Sequence, residues 1–67
     1  MELRVFKEKD NSTIRVDFLG TTAKDLLIQL RINPETVLVV RKGEVIPEEA
    51  ALRDKESIEL LSVISGG

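Results

Sequence analysis

Polar and apolar residues alternate from the start of the chain. In ELRVFK (residues 2–7), Leu3 and Val5 alternate with Glu2 and Arg4, the period of two expected of a half-buried strand. EKDNS (8–12) is polar and turn-forming. In TIRVDF (13–18) the alternation returns, with Ile14, Val16 and Phe18 on one side and Thr13, Arg15 and Asp17 on the other. Two such runs joined by a short polar loop predict a hairpin.

After Gly20 the period changes. Ala23, Leu26, Leu27 and Leu30 fall at helical spacing, predicting an amphipathic helix from 23 to about 31. Thr22 is its expected N-cap, and Asp25 three residues on is the reciprocal capping-box partner, well placed for the helix dipole. Pro34 cannot continue the helix and biases Asn33 away from helical angles. ETVLVVRK (35–42) is β-branched and strand-like, Gly43 marks a tight turn, and EVI (44–46) pairs back as a short strand before Pro47. PEEAALRDKE (47–56) is a polar connection with one helical turn and Leu52 as its anchor, and SIELLSVI (57–64) is the last strand.

A hairpin, a helix and further strands give an α+β fold with a mixed four- to five-stranded sheet packed on one helix. The expected core is Leu3, Val5, Ile14, Val16, Phe18, Leu26, Leu30, Val37, Val39, Ile58 and Leu60. Alternation also points Leu38 and Val40 outward when Val37 and Val39 point in. Leu61 and Val63 likewise point outward when Ile58 and Leu60 point in. Four aliphatics on neighbouring strands make an outward apolar patch, of the kind that marks interaction sites. The alternative is that loop 47–56 or a second copy covers it.

Composition narrows the chemistry. The chain has 67 residues, enough for one small domain, and 42% of them are hydrophobic, enough for an aliphatic core. It has no Cys and no His, so no thiolate or imidazole chemistry is open to it, and no metal site is expected. Ten basic against twelve acidic residues give a net charge of −2, with no run of cations to track phosphates, so nucleic acid is not an expected partner. The longest apolar run, Val37 to Val40, is far short of a membrane span of about 20 residues. MELRVFKEKD lacks the pattern of a secretory signal. The expected location is cytoplasmic. Glu48, Glu49, Asp54 and Glu56 are the densest carboxylates and read as solvated loop acids.

The succession of elements ending in a bare Gly66-Gly67 resembles the β-grasp, ubiquitin-like proteins. LRDKESIELLSVISGG (52–67) and INPETVLVVRKGEVIPEE (32–49) resemble their sulfur-carrier branch, which holds ThiS- and MoaD-like proteins and small archaeal modifiers. The resemblance covers the whole chain as a single domain, 1–67, with a Gly-Gly tail at about 65–67. One departure is Asp54-Lys55-Glu56 before the last strand, where the family often has Asp-Gly-Asp.

The resemblance implies that the chain is a carrier rather than an enzyme. An E1-like adenylating enzyme would consume ATP to activate the Gly67 carboxylate. A sulfur donor would then convert it to a thiocarboxylate for an acceptor enzyme in thiamine, molybdenum cofactor or thiolated-tRNA synthesis. No cofactor would be bound stably. Gly66 and Gly67 lack Cβ atoms, which suits passage through a narrow channel. Leu38, Val40, Leu61, Val63, Ile64, Ser65 and Gly66 would contact the partner. Two other functions remain open: a modifier joined through Gly67 to lysines of target proteins, and a non-covalent module that uses only the sheet face.

Overall fold

The computed structural model describes residues 1–63. In chain order, the strands are β1 (Glu2–Lys7), β2 (Ser12–Asp17), β3 (Val37–Arg41), β4 (Glu44–Val45) and β5 (Ser57–Ser62), with helix α1 (Ala23–Gln29) between β2 and β3. Short 3-10 turns, Glu8–Asp10 and Pro34–Thr36, link β1 to β2 and lead into β3. The five strands form one mixed sheet in the order β2-β1-β5-β3-β4. β5 runs parallel to β1 and antiparallel to β3. This is the β-grasp arrangement, an α+β fold.

Every residue of the expected core lies in the core or packs against it. Ala23, Leu27 and Leu52 join that core, and Ile32 and Ile46 pack on its edge. The expected strand at 35–42 is shorter because Asn33 caps a 3-10 turn: its side-chain oxygen accepts the Glu35 N–H at 2.9 Å. The last strand, expected to reach Ile64, is described as strand to Ser62, and Ile64 and the tail lie outside the described residues.

The capping box at the start of α1 forms as expected, and loop 47–56 completes it. The Thr22 side chain accepts the Asp25 N–H, and the Asp25 carboxylate accepts the Thr22 N–H. Ala23 N–H donates to Ala50 O at 3.0 Å and Lys24 N–H to Glu48 O at 2.9 Å. The four amides that the helix start leaves open, those of Thr22, Ala23, Lys24 and Asp25, thus all find acceptors, and Leu26 N–H makes the first bond within the helix, to Thr22 O. The loop does not form the expected helical turn. Its Pro47 O accepts the Ala50 N–H in a tight turn, while its Glu48 and Ala50 carbonyls serve α1. Leu52 is its buried anchor.

Four non-glycine residues adopt positive φ: Asn11, Arg31, Lys42 and Lys55. Lys42 (53°) and Gly43 (79°) form the two-residue β3–β4 turn, the left-handed pair that a tight hairpin requires. Lys55 (64°) sits in the turn before β5.

Candidate docking face and tail root

The sheet has an inner face on α1 and an outer face turned away from it. Cross-strand register brings the outer-face residues into rows. Leu38 stands opposite Leu61, Val40 lies between Glu59 and Val45, and Phe6 lies between Thr13 and Glu59. Leu38 is 41% exposed, Val45 60% and Val63 45%, and Phe6 and Leu61 are half-buried. These residues form the apolar patch at the end of β5.

Val40 departs from expectation. It is only 6% exposed, although it lies outside the core cluster. β3 is an interior strand, and the short Val40 side chain is sunk between its two in-register neighbours, Val45 and Glu59. The accessible aliphatic on that side is Val45, which sequence reasoning left out of the patch. The signal was present: a two-residue turn at Lys42-Gly43 pairs Arg41 with Glu44 and Val40 with Val45.

Loop 47–56 does not cover the patch. Glu48, Ala50 and Leu52 bond to Lys24, Ala23 and Thr21, and the Leu52 side chain enters the inner core, so this part of the loop lies on the helix side. Arg41, on the inner face at the other end of β3, donates to Ala51 O at 2.9 Å and meets the Glu56 carboxylate at 3.4 Å, securing the loop there. Leu19 and Ile28 are also exposed, in the β2–α1 connection and on α1, away from the outer face.

The root of the tail is held on both sides. Toward β3, Val63 N–H donates to Thr36 O at 3.0 Å. Toward β1, the strand has already turned away: Glu8 O accepts the Asn11 N–H and closes the 3-10 turn. The Glu8 carboxylate takes over, accepting the Ser62 N–H at 3.1 Å. A side chain thus supplies the acceptor that a longer β1 would have offered, and β5 is aligned to its last residue. Ile64, Ser65, Gly66 and Gly67, the remaining expected contact and reactive residues, lie outside the described residues.

Among the described residues, no group of His, Cys, Asp or Glu is arranged to hold a metal ion. No helix among them is long and apolar enough to cross a membrane.

Comparison with known proteins agrees with this geometry. The ThiS family model matches residues 2–67. The sulfur carrier protein TtuB of Thermus thermophilus is 43% identical over 44 residues, covering 66% of this chain and 68% of TtuB. An uncharacterised protein of Archaeoglobus fulgidus is 34% identical over 68 aligned positions that span both chains in full. Among solved structures, a ubiquitin-like protein from the archaeon Caldiarchaeum subterraneum superposes with a TM-score of 0.62. At 13% identity, over 98% of this chain and 100% of that one, it bears on the fold alone.

Proposed function

The chain belongs to the ThiS family, and from that premise we propose that it is a sulfur carrier working through the carboxylate of Gly67. An E1-like enzyme joins that carboxylate to AMP at the expense of ATP, releasing pyrophosphate. A sulfur nucleophile then displaces AMP to leave a thiocarboxylate, which an acceptor enzyme draws on. The chain serves as co-substrate and brings no catalytic group of its own.

The single observation that carries this reading is the anchored root of the tail beside an exposed apolar patch. Leu38, Leu61, Val63, Phe6 and Val45 supply a docking face whose burial favours association. The bonds from Ser62 to Glu8 and from Val63 to Thr36 fix the point at which the last four residues begin. Four extended residues reach at most about 14 Å, so docking at the patch places the carboxylate within a limited radius. Two glycines at the end of that reach present little bulk to the partner's channel.

The test is ATP–pyrophosphate exchange by the adenylating enzyme, run with the full chain and with Gly67 deleted. Exchange that depends on the full chain and vanishes on deletion is the expected result. A deletion that leaves the cellular role intact overturns the reading in favour of a non-covalent module.

A further inference from the structure

Arg4 of β1 and Arg15 of β2 stand directly opposite each other on the outer face, and both are exposed. The pairing is of the closer kind. Arg4 N–H donates to Glu56 O at 2.9 Å, on the β5 side, so its backbone polar groups point away from β2. Arg4 and Arg15 are therefore a non-hydrogen-bonded pair, with Cα atoms about 4.5 Å apart and side chains near each other. Like charges directly opposite destabilise a ladder.

Among the described residues neither guanidinium forms an ion pair: the pairs there are Met1–Asp17, Lys7–Asp10 and Arg41–Glu56. The carboxylates on the same face are Glu2 and Asp17, opposite each other one row away, and Glu59 beside Phe6. Asp17 already faces the N-terminal ammonium at 3.8 Å. Two planar donor forks are thus left side by side, next along β1 and β2 to Phe6 and Thr13 at the border of the apolar patch.

We propose that the Arg4–Arg15 pair is the electrostatic half of the docking face and receives carboxylate side chains from the surface of the adenylating enzyme. The proposal rests on the outer face being the docking surface and adds the chemistry of the partner: an apolar contact bordered by acidic residues. Bidentate arginine–carboxylate pairs give such a contact its register. The chain as a whole is acidic, at −2, so a local cationic pair also orients its approach to an acidic partner.

The experiment measures ATP–pyrophosphate exchange across a series of salt concentrations. It compares the native chain, the double variant Arg4→Gln/Arg15→Gln, and Leu38→Asp. The native chain is expected to lose kcat/KM as salt rises. The double variant is expected to start about tenfold lower at low salt, through KM, and to show a flattened salt dependence. Its melting temperature is expected to equal or exceed the native value, because a repulsive pair has been removed. An unchanged kcat/KM and salt slope in the double variant, with Leu38→Asp impaired, overturns the acidic partner and leaves the docking face standing. Both variants unimpaired overturns both. Binding of a single-stranded oligonucleotide by the native chain, lost in the double variant while exchange is unchanged, overturns the proposal in favour of a polyanion.

Discussion

The Glu8 carboxylate accepts the backbone N–H of Ser62 across 3.1 Å, joining positions 54 residues apart at the point where β5 leaves the sheet. Replacing Glu8 by alanine removes the acceptor and leaves the backbone of the turn after β1 unable to substitute, since Glu8 O is engaged by Asn11. The bond is solvent-exposed, so the expected loss of stability is modest, about 0.5–1 kcal/mol. The sharper signature is local: amide exchange at Ser62 accelerates while that at Ile58, near the other end of β5, is unchanged. Equal protection of Ser62 in both proteins contradicts the anchor.

The docking face makes opposite demands on neighbouring residues of β3. Leu38 is 41% exposed, so Leu38→Asp is expected to fold with a change of about 1 kcal/mol or less, yet to raise KM for adenylation tenfold or more. Val40 is 6% exposed, and Val40→Asp buries an unpaired charge, costing several kcal/mol in a small domain. Circular-dichroism melting and exchange kinetics on the two variants separate the roles. A Leu38→Asp chain adenylated as well as the native one contradicts the docking face.

Much of this was legible in the chain. Alternation at 2–7 and 13–18 and the helical spacing from Ala23 to Leu30 are local, because the same residues that set the period also bury the face. Thr22 and Asp25 announce their cap by a spacing of three. The Glu8–Ser62 bond and the Arg4–Arg15 pair were not legible, since each depends on which strands become neighbours in the sheet. The burial of Val40 was missed for a related reason: alternation gives direction, whereas accessibility depends on what stands on either side. The terminal Gly-Gly, by contrast, takes its meaning from resemblance to the family rather than from any contact.

Asp25 links the fold to pH. The N–H groups of Thr21 and Thr22 donate to its Oδ2 at 3.0 and 3.1 Å and hold its carboxyl below the ordinary value of 3.8. A group whose pKa is depressed by folding stabilises the protein above its unfolded pKa and ceases to do so as pH falls through the folded one. The stability difference between the native chain and Asp25→Asn is therefore expected to be constant above about pH 4–5 and to shrink below it. Denaturant melts at stepped pH measure it, and a difference that stays constant into strong acid contradicts the assignment.

Gly20 protects the same carboxylate. A Cβ at position 20 meets Asp25 Cβ and Cγ, inside van der Waals contact. Gly20→Ala is expected to displace Asp25 and weaken the cap, with a loss of about 1–2 kcal/mol seen in thermal melts. A variant as stable as the native chain contradicts the close approach.

Lys55 offers the reverse case. It holds φ of 64°, a conformation that L-residues adopt at a cost, in the turn where the family often has glycine. Lys55→Gly is expected to stabilise the fold by about 0.5–1 kcal/mol, the relief of strain exceeding the added freedom of the unfolded chain. Lys55→Ala keeps a Cβ in the same geometry and is expected to give no gain. Equal stability of the glycine and alanine variants contradicts the strain.

The central claim is that Gly67 carries sulfur, and intact mass spectrometry tests it most directly. The full chain is incubated with the adenylating enzyme, ATP and a sulfur donor, beside a control without ATP. The expected result is a mass increase equal to the replacement of one oxygen by sulfur, dependent on ATP and confined by fragmentation to Gly67. An unchanged mass, under conditions where the same enzyme thiocarboxylates its established carrier, contradicts it.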